Sequence, residues 1–159
     1  MKPNVGISDK NRKAVSKILN AVLADEYVLY TKTRNYHWNI LGMQFNDLHK
    51  FFQAQYEALN IVVDDVAERV RTLGGRTVAT LTEFLKQARV KEHPGKYPNA
   101  KEMLANLLKD YEIIIQTLRK NVDETINQYH DAGTSDFLTG LMEEHEKTAW
   151  MLRSFLDSK

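Results

Sequence analysis

The sequence predicts an all-α protein built as one four-helix bundle, with a short extra helix in the long link between the second and third helices. Apolar residues recur at helical spacing through four long stretches. Chain-breaking residues lie between those stretches, among them Gly42, Gly74, Pro94 and Pro98. No stretch alternates apolar and polar residues in the way that a half-buried strand does.

The chain of 159 residues suits a single domain with a sizeable core. A short tail over residues 1–7 precedes one bundle domain over residues 8–159. Within that domain, the expected helices span about 9–37, 45–73, 82–88, 99–129 and 135–157. The link between the second and third long helices has about 23 residues, which is long for a bundle and suits the crossover connection of a ferritin-type bundle.

Polar residues that can cap a helix precede most of the expected spans. They are Ser8 or Asp9, Thr82, Asn99 with Glu102, and Thr134. The basic residues that follow the first cap are less expected, because positive charge is unfavourable at a helix N-terminus. These residues, Lys10, Arg12, Lys13 and Lys17, form either a solvated face or a surface with another use.

The composition excludes several classes of function. Lys and Arg number 22 against 21 for Asp and Glu, so net charge alone indicates neither a nucleic-acid nor a membrane partner. The chain has no cysteine, which excludes disulfides and thiolate metal sites and fits a reducing compartment. With no signal-peptide core and no long apolar run, we expect a cytoplasmic protein that does not enter a membrane. Glycine-rich phosphate loops and nucleophile motifs are also absent from the sequence.

Four polar residues of the second helix share one face. His49 and Gln53 are one turn apart, and Asp64 and Glu68 are one turn apart further along. An imidazole with carboxylates suits iron(II), with zinc as a competing occupant. His49 and Glu68 are roughly 28 Å apart along one helix, so a single helix cannot close a metal site from these residues.

A second, antiparallel copy of the helix could close the site. His49 and Glu68 are equidistant from a point between Ala58 and Leu59, and so are positions 53 and 64. A two-fold axis at that point would put the histidine of one chain opposite the acids of the other. The spacing therefore predicts two equivalent metal sites at a homodimer interface.

Each signal also has a plainer interpretation. The two acids could be a solvated face paired with Arg69 or Arg71, and a single helical histidine is more often structural than a ligand. His37 supplies a second imidazole, and Trp38 beside it is first a large apolar group and second a candidate electron donor. The other histidines are interpreted as surface or packing residues: His93, His130 and His145.

None of the five histidines has a glutamate three residues before it, so the sequence lacks the Glu-x-x-His motifs of an intrasubunit di-iron centre. Four segments nevertheless resemble the Dps family of miniferritins across nearly the whole chain. They are LADEYVLYTKTRNYHWNI, FNDLHKFFQAQYEAL, DDVAERVRTLGG and EEHEKTAWMLRSFL.

The resemblance implies a ferritin-like four-helix bundle assembled as a hollow shell of twelve subunits. It implies that His37 and His49 of one subunit meet Asp64 and Glu68 of its partner as ferroxidase ligands. It further implies that iron(II) is oxidised there, preferably by hydrogen peroxide, and is stored inside as iron(III) mineral. Removing iron(II) and peroxide in this way would protect against oxidative damage. By the same resemblance, Asp131 and Asp136 are candidates for three-fold entry pores.

One departure concerns Gln53, which stands where the family usually has an acidic ligand. A neutral amide coordinates iron more weakly, so one metal position is expected to be weaker. Glu57, one turn further along, is a conceivable substitute.

DNA binding is left open, together with nucleoid association, because the tail before Ser8 carries only Lys2. The alternatives to a ferroxidase are a nucleoid-binding protective protein whose metal site is weakened at Gln53, and a plain helical scaffold with a histidine-lined dimer interface.

Overall fold

The structure, a computed structural model, describes residues 3–157. Lys2 and the last two residues of the expected domain lie outside this range. The described residues form five helices and no strand, as the sequence predicts. Their bounds are α1 Asp9–Asn39, α2 Phe45–Thr72, α3 Leu81–Gln87, α4 Ala100–Asn127 and α5 Ala132–Leu156.

The bundle consists of two helical hairpins. Helix α1 packs mainly against α2, and α4 packs mainly against α5. The long link carries α3 along α1 and is anchored there by Asp25, whose buried carboxylate accepts hydrogen bonds from the backbone and side chain of Arg89. The link joins the end of one hairpin to the start of the other, so it is the crossover connection that its length predicts.

One core runs between the hairpins. The apolar residues that recur at helical spacing supply it, with Leu19, Phe52, Ile114 and Leu138 fully buried. Burial of such side chains is the main favourable contribution to folding. Ile126, in the last turn of α4, is 44% exposed.

Two predicted caps are confirmed and two are wrong. Ser8 caps α1, and Asn99 forms a reciprocal capping box with Glu102 at α4. Helix α3 is capped by Thr80 instead of Thr82, because Thr80 forms the capping box with Glu83.

Helix α5 is capped by Asp131 and not by Thr134. The carboxylate of Asp131 accepts a hydrogen bond from the backbone N–H of Thr134 at 2.9 Å and another from its hydroxyl at 2.6 Å. Thr134 therefore lies in the first turn of the helix as a donor to the cap.

No helix within residues 3–157 combines the length and apolarity that crossing a lipid bilayer requires.

Candidate metal centre

The two predicted histidine ligands of one chain lie together. His37 is in the last turn of α1, and His49 is in the second turn of α2. The short turn between these helices includes Gly42, whose φ of 109° is a conformation that side-chain-bearing residues rarely adopt. The turn brings the two imidazole rings into a stack with centroids 3.8 Å apart and planes inclined by 22°.

Each histidine is oriented by the backbone of the other. Nδ1 of His37 is 2.8 Å from the carbonyl oxygen of His49, and Nδ1 of His49 is 3.0 Å from the carbonyl oxygen of His37. A carbonyl oxygen can only accept a hydrogen bond, so each Nδ1 carries the proton. In the neutral form of each ring, Nε2 then keeps the lone pair, which is the arrangement of a metal-binding histidine whose other nitrogen donates to a fixed acceptor.

Aromatic rings hold the imidazole stack from both ends. The ring of Phe45 stacks on His49 with centroids 5.0 Å apart, and the ring of Tyr56 meets His37 edge-on at 5.2 Å. His37 itself is buried at 7% exposure. These contacts limit rotation of both rings, so the protein alone sets the positions of the imidazole nitrogens.

Arg34 is a cation near the site that sequence reasoning missed. Its guanidinium lies over the rings of Tyr56 and Trp38, with its central carbon 5.2 and 4.9 Å from their centroids. Trp38, the candidate electron donor, is 66% exposed on the same surface. The spacing of three and four residues from Arg34 to His37 and Trp38 was the available signal, since such residues share a helix face.

Gln53 is exposed and bonded to Glu57. Its amide nitrogen donates to Oε1 of Glu57 at 2.8 Å, across one helical turn. This contact leaves the amide oxygen of Gln53 as the atom available to a metal. Glu57 therefore orients Gln53, a role that differs from the direct substitution considered from the sequence.

Asp64 and Glu68 are exposed on the far half of α2, and one chain does not bring them to the histidines. Among residues 3–157, no three His, Asp or Glu side chains lie close enough to hold a metal ion. One chain offers a histidine pair at one place and an acidic pair at another.

The two candidate pore residues have different environments. Asp131 is only 2% exposed, caps α5 and forms an ion pair with Arg69 at 3.2 Å. Its oxygens are thus used within the subunit. Asp136 is exposed on the next turn of α5 and is the better placed of the two to meet solvent ions.

A buried polar pair lies elsewhere in the core. His145 of α5 has Nε2 2.9 Å from Oε1 of Glu26 in α1, and both residues are at most 3% exposed. His145 is thus a packing residue, one of the two interpretations that its sequence allowed. Its glutamate partner lies 119 residues away in the sequence, so no local pattern could have identified it.

Comparison with known proteins identifies the family. Residues 16–158 match the ferritin-like domain. The chain is 39% identical to DNA protection during starvation protein 2 of Bacillus anthracis, over 91% of this chain and 98% of the relative. The chain belongs to the Dps family. It is also 49% identical to an uncharacterized low temperature-induced protein of Nostoc, over 98% of this chain and 87% of that protein.

The fold of this Dps protein agrees with solved structures of the family. A Dps protein from Vibrio cholerae O1, described as a member of a broad superfamily of ferritin-like diiron-carboxylate proteins, superimposes with a TM-score of 0.91 at 32% identity. The match covers 99% of this chain and 98% of that one. The resemblance inferred from the four sequence segments is therefore confirmed at the level of family and fold.

Proposed function

We propose that this protein oxidises iron(II) at sites shared between two subunits and stores the iron(III) product in a hollow shell. The observation that carries the proposal is the reciprocal pair of Nδ1 to carbonyl hydrogen bonds between His37 and His49. In the neutral rings it leaves both Nε2 atoms free to bind a metal, in a rigid aromatic setting, which suits iron(II). Membership of the ferritin-like family supports iron as the substrate.

The remaining ligands are proposed to come from a second chain. Asp64 and Glu68 are exposed, and a two-fold axis near Ala58 would bring the partner's acids to the histidines. The middle of α2 is suited to this contact, because Ala54 and Ala58 are small and exposed and Ile61 is 62% exposed. Small residues allow two helices to approach closely, and burying Ile61 would favour association.

The proposed reaction uses hydrogen peroxide as the preferred oxidant. Two iron(II) ions each give one electron, the O–O bond breaks, and two protons complete two water molecules. The histidines hold the reduced ion as neutral donors, and the carboxylates stabilise the higher charge of iron(III). Gln53 supplies a neutral oxygen in place of a charge, so one iron position should be weak. Zinc, which accepts the same donors, should compete for the strong position.

Assembly and transport complete the proposal. Twelve subunits built from two-fold dimers would enclose the mineral, as the family resemblance implies, and Asp136 would line the route by which iron(II) enters. A carboxylate at a pore attracts cations from solvent and raises their local concentration. Trp38, exposed beside His37, would donate an electron when only one iron is present.

A mixed-dimer experiment tests the shared site. One chain carries His37→Ala and His49→Ala, and the other carries Asp64→Ala and Glu68→Ala. Each homodimer should be inactive. In a mixed dimer, one site has lost both halves and the other keeps all its ligands. Random pairing makes half of the dimers mixed, so about a quarter of wild-type sites should return on co-expression.

The same experiment separates the shared site from a site within one chain. If one chain supplied every ligand, both variants would have broken sites and co-expression would restore nothing. Peroxide-driven iron(II) oxidation, followed by absorbance against a protein-free blank, is the measurement. Size-exclusion chromatography of each preparation verifies that the variants still assemble.

Nucleic-acid binding is the second candidate function. The observation that favours it is the exposed basic set in the first turns of α1, which includes Lys10, Lys13 and Lys17. A display of many copies on one shell would add avidity to weak contacts. Retardation of duplex DNA in a gel, weakening as salt is raised, is the expected result; no retardation at low salt would eliminate this candidate.

A further inference from the structure

A basic cavity lies between the first turns of α1 and the segment that follows α2. Its volume is about 440 Å³, within the size range of small-molecule sites. The α1 side is lined by Arg12, Lys13, Ser16 and Lys17, and the opposite side by Gly75 and Arg76. None of these residues belongs to the candidate metal centre.

The charge lining the cavity is mostly positive. Arg12, Lys13, Lys17 and Arg76 contribute four cations, and Asp9, which pairs with Arg12, is the acid among the lining residues. Arg12 stands in the first turn of α1, where the macrodipole disfavours a cation, and Lys13 and Lys17 follow it within two turns. A bound anion would offset this repulsion.

Two buried polar groups of the cavity wall have no hydrogen-bond partner. Ser16 and Arg12 are each 6% exposed, and the Oγ of Ser16 and the Nε of Arg12 are unpartnered. The two terminal nitrogens of Arg12 are already used, one by the carbonyl oxygen of Pro3 and the other by Asp9. Buried polar groups are normally satisfied, so these two indicate a missing partner.

The chemistry of these atoms defines the missing partner. Arg Nε–H can only donate, and the Ser hydroxyl can donate, so the partner must be an acceptor. The surrounding positive charge favours an anion over a neutral acceptor. We propose that the cavity binds a phosphate group, either as free phosphate or within a phosphodiester. The site is separate from iron oxidation and does not depend on it.

Calorimetric titration of the full-length, assembled protein with inorganic phosphate at low ionic strength tests the site. Saturable binding of one phosphate per chain is expected. Lys17→Ala and Arg76→Ala, both at exposed positions, should each weaken binding about tenfold, and Ser16→Ala should weaken it severalfold. Lys120→Ala, an exposed lysine on α4 that does not line the cavity, is the matched control and should bind as wild type does.

A second arm distinguishes the source of the phosphate. Duplex DNA retardation that is lost in Lys17→Ala and Arg76→Ala, and that inorganic phosphate suppresses, would assign the cavity to a nucleic-acid backbone. Phosphate binding without retardation would assign it to the free anion. No saturable phosphate binding together with no retardation, or cavity variants that behave as Lys120→Ala does, would overturn the proposal. Iron(II) oxidation should be unchanged in every cavity variant, so failure of this site and failure of the ferroxidase are separate outcomes.

Discussion

Nδ1 of His37 lies 2.8 Å from the carbonyl oxygen of His49, and the bond is reciprocated in the opposite direction at 3.0 Å. The two bonds cross the junction between α1 and α2. They fix ring orientation and tautomer together, so disturbing one helix end disturbs the imidazole on the other. This crosswise contact preforms one half of the proposed site.

Removal of either imidazole should abolish most of the proposed activity. His37→Ala or His49→Ala removes a metal donor and also the ring that stacks on the other imidazole. Iron(II) oxidation should therefore fall by about tenfold to a hundredfold. His93→Ala, an exposed histidine in the long link, is the control. Equal rates for His49→Ala and His93→Ala would contradict a role for this pair in metal binding.

Restoring an acid at position 53 should tighten iron binding. Gln53→Glu supplies a charged ligand. The new carboxylate also lies one helical turn from the carboxylate of Glu57. Their repulsion, about 0.2–0.5 kcal/mol on a helix, would be relieved by a bound cation. Anaerobic titration with iron(II) should therefore show higher affinity. Glu57→Gln, which only loosens Gln53, is the matched comparison, and an unchanged affinity in Gln53→Glu would count against position 53 as a ligand.

The buried ion pair between Lys32 and Asp110 predicts an asymmetric effect on stability. Both side chains are at most 9% exposed. Lys32→Met leaves the carboxylate buried without its partner and should lower the free energy of unfolding by about 3–5 kcal/mol. The double variant Lys32→Met/Asp110→Leu should recover most of this loss. Denaturant titrations measure both, and a double variant as unstable as the single one would refute the explanation.

The same aspartate predicts a pH dependence of stability. Desolvation raises the pKa of Asp110 above its ordinary 3.8, and the opposing effect of Lys32 is smaller. A raised carboxyl pKa means that the folded state holds the proton more tightly than the unfolded state does. The stabilisation from this group is present at low pH and is lost as pH rises through the folded-state pKa.

Comparison with Asp110→Asn isolates that contribution, because the amide does not titrate. The free energy of unfolding of wild type minus that of the variant should decrease as pH rises from about 3.8. Unfolding measured at several acidic pH values gives this difference. A difference that increases with pH would mean that Lys32 outweighs burial.

Ile61 should be important for assembly. It is 62% exposed in the single chain, near the proposed two-fold axis on α2. Ile61→Asp would put a charge into the dimer contact and should shift the protein to smaller species in size-exclusion chromatography, with loss of iron oxidation. Ile126→Asp, at a residue that is 44% exposed on α4, is the control. Intact assembly in Ile61→Asp would argue against the proposed axis.

The helix bounds could be predicted from the sequence because they depend on near neighbours. Apolar spacing and the Asn99 cap located their elements correctly. The caps predicted at Thr82 and Thr134 were wrong because each has another polar residue nearby. Thr80 and Asp131 are the residues whose side chains accept from the first turns of α3 and α5. The identities of His37, His49, Asp64 and Glu68 as candidate ligands also came from spacing and family resemblance, and their pairing across two chains is still a prediction.

The sequence by itself determined the all-α class, the four long helices and the family, because helical periodicity and signature segments are properties of consecutive residues. Only the tertiary structure decided how distant residues are paired. The stacking of His37 on His49, the burial of Glu26 against His145 and the cavity that collects Arg12 and Arg76 all depend on how the helices pack. The physical reason is that side-chain hydrogen bonds and burial act over a few ångströms in space, and the packed core sets that distance independently of separation along the chain.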